Sequence, residues 1–291
     1  MVKDWIANAY EGMSRRQFLA RMGVAGASLV GFAIAANPVA GEIITTSTDG
    51  LVVSDGKIRS GDFQVPIYEA YPATTGKYPV VLIIPEVFGM HEHMRDVTRR
   101  FAREGFLGIT FEPYAREGGV LHLPDIESVR KVVDSVPDGR VMGDLDALMA
   151  YAKQHPLAQP DRIGITGFCR GGMYSLLFAA HNHELKATVA WYGQLRPAKT
   201  PGVRTVGPLD IVVRINSPVL GLYGEADLGI PVADVKETEA ALTAAGKTFE
   251  FVIYPGAPHA FFADYRPSYR PEAAKDAWGR CVSWFNKYFK R

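Results

Sequence analysis

The chain has 291 residues, 47% of them hydrophobic and 22% charged, which is ample for a large core and carries no signature of disorder. Its net charge is +1; the first forty residues hold Lys3, Arg15, Arg16 and Arg21 against Asp4 and Glu11, so the remainder stands at −1. That balance excludes a nucleic-acid partner, which would need a marked basic excess, and suits a small neutral or mildly anionic substrate.

Ser14-Arg15-Arg16-Gln17-Phe18-Leu19 precedes an apolar, Gly- and Ala-rich run from Met22 to Ala36. Charge, then a short apolar stretch, then small residues describe a bacterial export signal. The paired arginines ahead of Phe-Leu resemble the twin-arginine type, which carries proteins already folded. Cleavage is expected near Ala35 to Ala40. This gives a signal over residues 1–40, one domain over 41–291, a periplasmic or secreted location, and the twin-arginine export machinery as a partner. The run falls short of the roughly 20 residues that span a bilayer. Gly23, Gly26 and Gly31 also weaken it as a helix, so an uncleaved membrane anchor is the lesser reading.

Ile43 to Tyr71 mixes short β-prone pieces with turns at Asp49-Gly50 and Asp55-Gly56, as an antiparallel edge would. Val80 to Ile84 is then a continuous apolar run ending at Pro85, the pattern of a strand buried on both faces. A helix over His93 to Arg103 follows, stopped by Gly105, and Phe106 to Thr110 is the next strand. Val141 to Gln154 sets Val141, Leu145, Leu148 and Tyr151 on one helical face. Arg162 to Thr166 is a strand and Arg170 to Ala180 a helix. Ala187 to Trp191, Pro218 to Tyr223 and Phe249 to Tyr254 complete the strands, with a helix over Ala233 to Ala245 before the last. Pro271 to Phe289 closes the chain as a helix with Trp278, Val282 and Phe285 in a buried stripe. Such alternation predicts an α/β fold, a mostly parallel sheet with helices on both faces, whose sites lie beyond the carboxyl ends of the strands. Leu195 to Asn216, rich in Pro and Gly and long for a connection, is expected to cover the site.

Gly167-Phe168-Cys169-Arg170-Gly171 places a nucleophile between glycines, directly after a strand and before a helix. A turn that sharp strains the backbone and sets the attacking atom at a helix N-terminus, where partial positive charge favours thiolate. The backbone N–H of Arg170 would face the developing oxyanion. An acid and a base should follow in that order: Asp227 stands in the loop after one strand, with Glu225 as its competitor, and His259 in the loop after the next. The chain's two cysteines, Cys169 and Cys281, invite a disulfide in an exported protein, but the motif needs Cys169 as a free thiol. His91-Glu92-His93 looks metal-like, yet residues two apart on a helix face different ways and no second histidine stands four away. No metal and no cofactor is expected.

Gly-x-Cys-x-Gly with Asp and His in this order, preceded by Pro85-Glu86-Val87-Phe88-Gly89, resembles the dienelactone hydrolase family over about Ile43 to Phe289. The resemblance implies an α/β-hydrolase fold and hydrolysis of an ester or lactone, possibly carboxylated. It also implies roles for further residues. Glu86 would hold the resting thiol and swing away when substrate arrives, and Val87 would supply the second oxyanion N–H. Tyr114-Ala115-Arg116 matches the part of the family pattern that binds a substrate carboxylate. Where the family has a second arginine, four residues past the histidine, this chain has Ala263; Arg170, Arg266 and Arg270 are the available substitutes. Two other classes compete with the hydrolase reading. One is a thiol-redox protein, with Cys281 as the available resolving cysteine; the other is an envelope-anchored binding protein with an unused site.

Overall fold

The computed structural model describes residues 43–290, so the expected export signal and its expected cleavage site lie outside the described residues. A long hairpin comes first: β1 (Leu51–Ser60) and β2 (Phe63–Pro72) pair antiparallel along their whole length. The expected turn at Asp49-Gly50 is present. That at Asp55-Gly56 is not, because both residues lie inside β1, opposite Tyr68 and Ile67. A Cβ on Gly56 would come within 3.2 Å of the Ile67 side chain, so this glycine serves close packing rather than a bend.

The remaining strands are β3 (Tyr78–Ile84), β4 (Leu107–Phe111), β5 (Ala158–Phe168), β6 (Thr188–Trp191), β7 (Val219–Gly224) and β8 (Phe249–Tyr254). They run parallel to one another in a single sheet of order β1-β2-β4-β3-β5-β6-β7-β8. The unbroken apolar run of β3 reflects its place: Val80 to Ile84 are all buried, with a strand on either side and helices above and below.

The helices are α1 (Glu92–Arg103), α2 (Ile126–Ser135), α3 (Asp138–Gln154), α4 (Arg170–His181), α5 (Val232–Ala244) and α6 (Pro271–Phe289). One face carries α1 and α6, which meet through Phe101, Trp278 and Phe285. The other carries α3, α4 and α5. Gly164 in β5 lets α6 lie close, since a Cβ there would stand 2.6 Å from the Phe285 ring. Helix α2 has no counterpart in the sequence reading. It buries only Val129 and Val133, too sparse a stripe to register, and starts at Asp125, whose carboxylate accepts from the Ser128 N–H at 2.8 Å.

The segment expected to cover the site lies instead over α4 and the junction of α2 with α3. Pro208–Arg214 forms a 3₁₀ turn against α4, and the Val203 carbonyl accepts from the Asp138 N–H at 2.9 Å. It approaches Arg170, the neighbour of Cys169, through Asp134, which is shared by Arg204 at 3.7 Å and Arg170 at 2.5 Å.

Candidate active site

β5 runs directly into Cys169, which opens α4 with φ +54° and ψ −114°, a conformation costly for any residue with a side chain. Its neighbours explain how so tight a turn closes. A Cβ on Gly167 would lie 2.0 Å from the Gly171 carbonyl oxygen, and one on Gly171 would lie 2.3 Å from that of Ile84. The thiol therefore sits at the N-terminus of α4, hard against the end of β3. The Cys169 N–H donates to the Trp191 carbonyl at 3.0 Å and ties the turn to β6.

His259 reaches the thiol from the loop after β8: Nε2 stands 3.1 Å from Sγ, and Nδ1 is 2.6 Å from Asp227 Oδ2. Asp227 is buried, and its second oxygen accepts from the Gly229 N–H at 2.9 Å, so the carboxylate cannot turn away. Glu225, the competing acid, is exposed and accepts from the Gly256 N–H instead. Burial pushes the Cys169 thiol up, but the charge and hydrogen bond of His259 outweigh it and hold the thiol below its ordinary range. Burial disfavours a charged imidazole, yet the facing sulfur and Asp227 prevail and His259 is pushed up to about 10. Both shifts favour the thiolate–imidazolium pair.

Glu86 is buried beside this pair, but the thiol's hydrogen-bond partner is His259. The Glu86 carboxylate accepts from the Tyr265 hydroxyl, lies 3.0 Å from His91 Nε2, and faces Arg266 at 3.8 Å. Burial would raise this carboxyl; Arg266 and His91 instead lower it well below the usual range. Of the three arginines weighed as substitutes for the family's second one, Arg266 therefore sits at Glu86, stacked over Phe88 at 4.7 Å. The two histidines do not diverge as a helical spacing would have them. His91 is the extended residue before α1, not part of it, and its ring stacks on that of His93 at 6.0 Å with Tyr265 beside both.

Arg170 follows Cys169, its guanidinium bonded to Asp134 at 2.5 Å. Tyr114 is buried, and the charges of Cys169 and Arg170 both act on its phenol, whose pKa burial raises far above the usual value. Arg116 is not brought to the thiol. Its guanidinium donates to Asp144 at 2.7 Å and to the Ser60 carbonyl at 3.1 Å, over the Phe63 ring, at the end of the hairpin. Both cysteines are free, and Cys281 is fully buried, where burial raises its thiol well above the usual range. Sequence reasoning passed over Tyr265, which holds Glu86, and Tyr192, whose ring meets that of His259 edge-on at 5.2 Å. For Tyr192 the local sign is conformational: outside glycine, positive φ among the described residues occurs at Cys169, Tyr192 and Ala260, all at this site.

A thiol on a strained strand-to-helix turn, above a parallel sheet clothed by helices on both faces, defines an α/β-hydrolase. The chain belongs to the dienelactone hydrolase family, whose model matches residues 65–289, and with it to the hydrolases. It is 48% identical over 273 residues to a candidate carboxymethylenebutenolidase of Methylorubrum extorquens, covering 93% of this chain and 94% of that one. A candidate carboxymethylenebutenolidase of Escherichia coli K12 is 44% identical over 260 residues, covering 89% and 95%. The crystal structure of a candidate dienelactone hydrolase from Klebsiella pneumoniae superposes with a TM-score of 0.79 at 45% identity, covering 82% of this chain and 99% of that one.

Proposed function

We propose that this protein hydrolyses esters or lactones through a thioester on Cys169. The observation that carries the reading is the line from Sγ through His259 to Asp227, at 3.1 and 2.6 Å, on a strained elbow. The thiolate attacks the carbonyl carbon and a C–S bond forms. The oxyanion is held by the N–H groups of Val87 and Arg170. Collapse breaks the C–O bond, and the departing alkoxide takes the proton from the His259 imidazolium; in a lactone it stays on the same molecule. Water then attacks the thioester as His259 takes its proton. The acid leaves, and the thiolate and imidazolium are restored. Asp227 fixes His259 with its proton on Nδ1.

Thiolate is a good leaving group, so the tetrahedral adduct of an amide returns to substrate while that of an activated ester or enol lactone goes forward. Glu86 could hold the thiol only by leaving Tyr265, His91 and Arg266, so we assign it to the polar wall of the site. With Arg116 engaged by Asp144, we assign substrate orientation to Tyr114 and not to a carboxylate clamp. We also propose export by the twin-arginine route, on the strength of Arg15-Arg16 ahead of the apolar run. The enzymatic reading is tested by assaying small esters and lactones with the purified protein beside Cys169→Ala. The variant is expected to lose about a thousandfold or more in kcat. Undiminished hydrolysis by it would exclude the thioester.

A further inference from the structure

The backbone that must receive the oxyanion is held in place from an unexpected direction, by a buried acid on the neighbouring strand. Glu112 follows β4 directly and is 1% exposed. Its two carboxylate oxygens take two backbone donors from two different loops: Oε2 accepts from the Met90 N–H at 2.8 Å, and Oε1 from the Tyr114 N–H at 3.0 Å. Its own N–H donates to the Pro66 carbonyl at 2.9 Å, which anchors the residue to β2.

The loop it grips is the one beside the nucleophile. Ile84 pairs with Gly167 across β3 and β5, and the Ile84 and Pro85 carbonyls crowd Gly171 at the start of α4. Glu86, Val87 and Phe88 must therefore pass alongside Cys169. The loop then turns back, with the Gly89 N–H donating to the Glu86 carbonyl at 3.0 Å. Gly89 has φ +70°, and a Cβ there would lie 2.4 Å from Glu112 Oε2, so the carboxylate rests directly on this turn.

We propose that Glu112 is a positioning residue for the oxyanion-stabilising half of the site. It locks the Glu86–Met90 turn, and through it the Val87 N–H, while setting the Tyr114 backbone on the other side. The proposal rests on the thioester reading above. Only a carboxylate does this, since it offers acceptors at both oxygens. Glutamine would turn an NH₂ donor toward one of the two N–H groups, and aspartate, one methylene shorter, cannot span both. Cys169, His259 and Asp227 stand on other elements and are hydrogen-bonded to one another, so thiol reactivity and oxyanion stabilisation are separable.

The test compares two rates in wild type, Glu112→Gln and Glu112→Asp: carbamidomethylation of Cys169 by iodoacetamide, which needs the thiolate and no oxyanion support, and turnover of a p-nitrophenyl ester. Turnover is referred to the thiol titrated in the fast phase of alkylation at pH 7, which counts the activated thiolate of folded protein and not the slower ordinary thiols of an unfolded fraction. Both variants are expected to alkylate at the wild-type rate and to lose about ten- to a hundredfold in kcat, with KM within about twofold, a part of what losing an oxyanion donor costs. Turnover per titrated thiol within twofold of wild type in either variant would overturn the proposal, and so would a loss of alkylation that matches the loss of turnover. Failure of the underlying reading looks different: wild type would keep its turnover after complete alkylation of Cys169.

Discussion

At Cys169 and His259 two burial penalties are overcome by one pairing. Partial burial favours the neutral form of each group; facing each other at 3.1 Å, each makes the other's charged form the stable one. The thiol is lowered and the imidazole raised to about 10, so the ion pair persists from the lowered thiol pKa up to about pH 10. Reactivity toward iodoacetamide should thus rise less steeply between pH 7 and 9 in wild type than for a thiol without its partner. In His259→Gln the thiol loses its partner while burial still raises it, and the rate should climb by at least about 20-fold over that window, the rise for a free thiol of pKa near 8.5. Equal slopes in the two proteins would show that His259 does not activate the thiol. The grouping of Cys169, Asp227 and His259 was legible in the sequence because each lies within a few residues of a strand end and the elbow has a fixed glycine spacing. Tyr265, Tyr192 and Glu112 were not, because their roles come from long-range contacts: Tyr265 meets Glu86 across 179 positions of the chain.

Between elements, Arg116 acts as a tie. It joins the turn after β4 to Asp144 of α3 and to the Ser60 carbonyl at the hairpin end, with its side chain 20% and that of Asp144 1% exposed. Removing the guanidinium strands a buried carboxylate. Arg116→Ala is therefore expected to cost about 1–3 kcal/mol of stability, less than a fully buried pair because the arginine is partly solvated. It should leave the ratio of kcat/KM between a carboxylated and a neutral ester unchanged. A tenfold fall specific to the carboxylated ester, without a fall in Tm, would return Arg116 to recognition. The buried strands and the long helices were read from periodicity within a few residues of their ends, as β3 and α6 show. Asp55-Gly56 was misread because Asp-Gly marks turns in general, while here the pleat uses the missing side chain to admit Ile67. His91 was misread because the spacing to His93 was taken as helical, and the helix begins one residue later.

Across the whole molecule, the carboxyl ends of β3, β5, β7 and β8 gather the Glu86–Met90 turn, Cys169, Asp227 and His259 at one edge of the sheet. The sheet's two helical layers leave that edge as the place where loops can carry chemistry. A domain with this much buried sheet also gives physical sense to a route that exports folded proteins. If the twin-arginine reading holds, changing Arg15 and Arg16 together to lysine should leave the protein in the cytoplasm. Undisturbed recovery from the periplasm would refute it.

The central claim is that a carbonyl carbon becomes bonded to the sulfur of Cys169 during turnover. The measurement that meets it most directly is rapid acid quenching during hydrolysis of p-nitrophenyl acetate, followed by peptide mass analysis. The account predicts an acetyl group on the peptide containing Cys169, appearing with the first release of nitrophenol and absent from Cys169→Ala. Full turnover with that peptide unmodified, or acetyl carried on another residue at the rate of turnover, would contradict it.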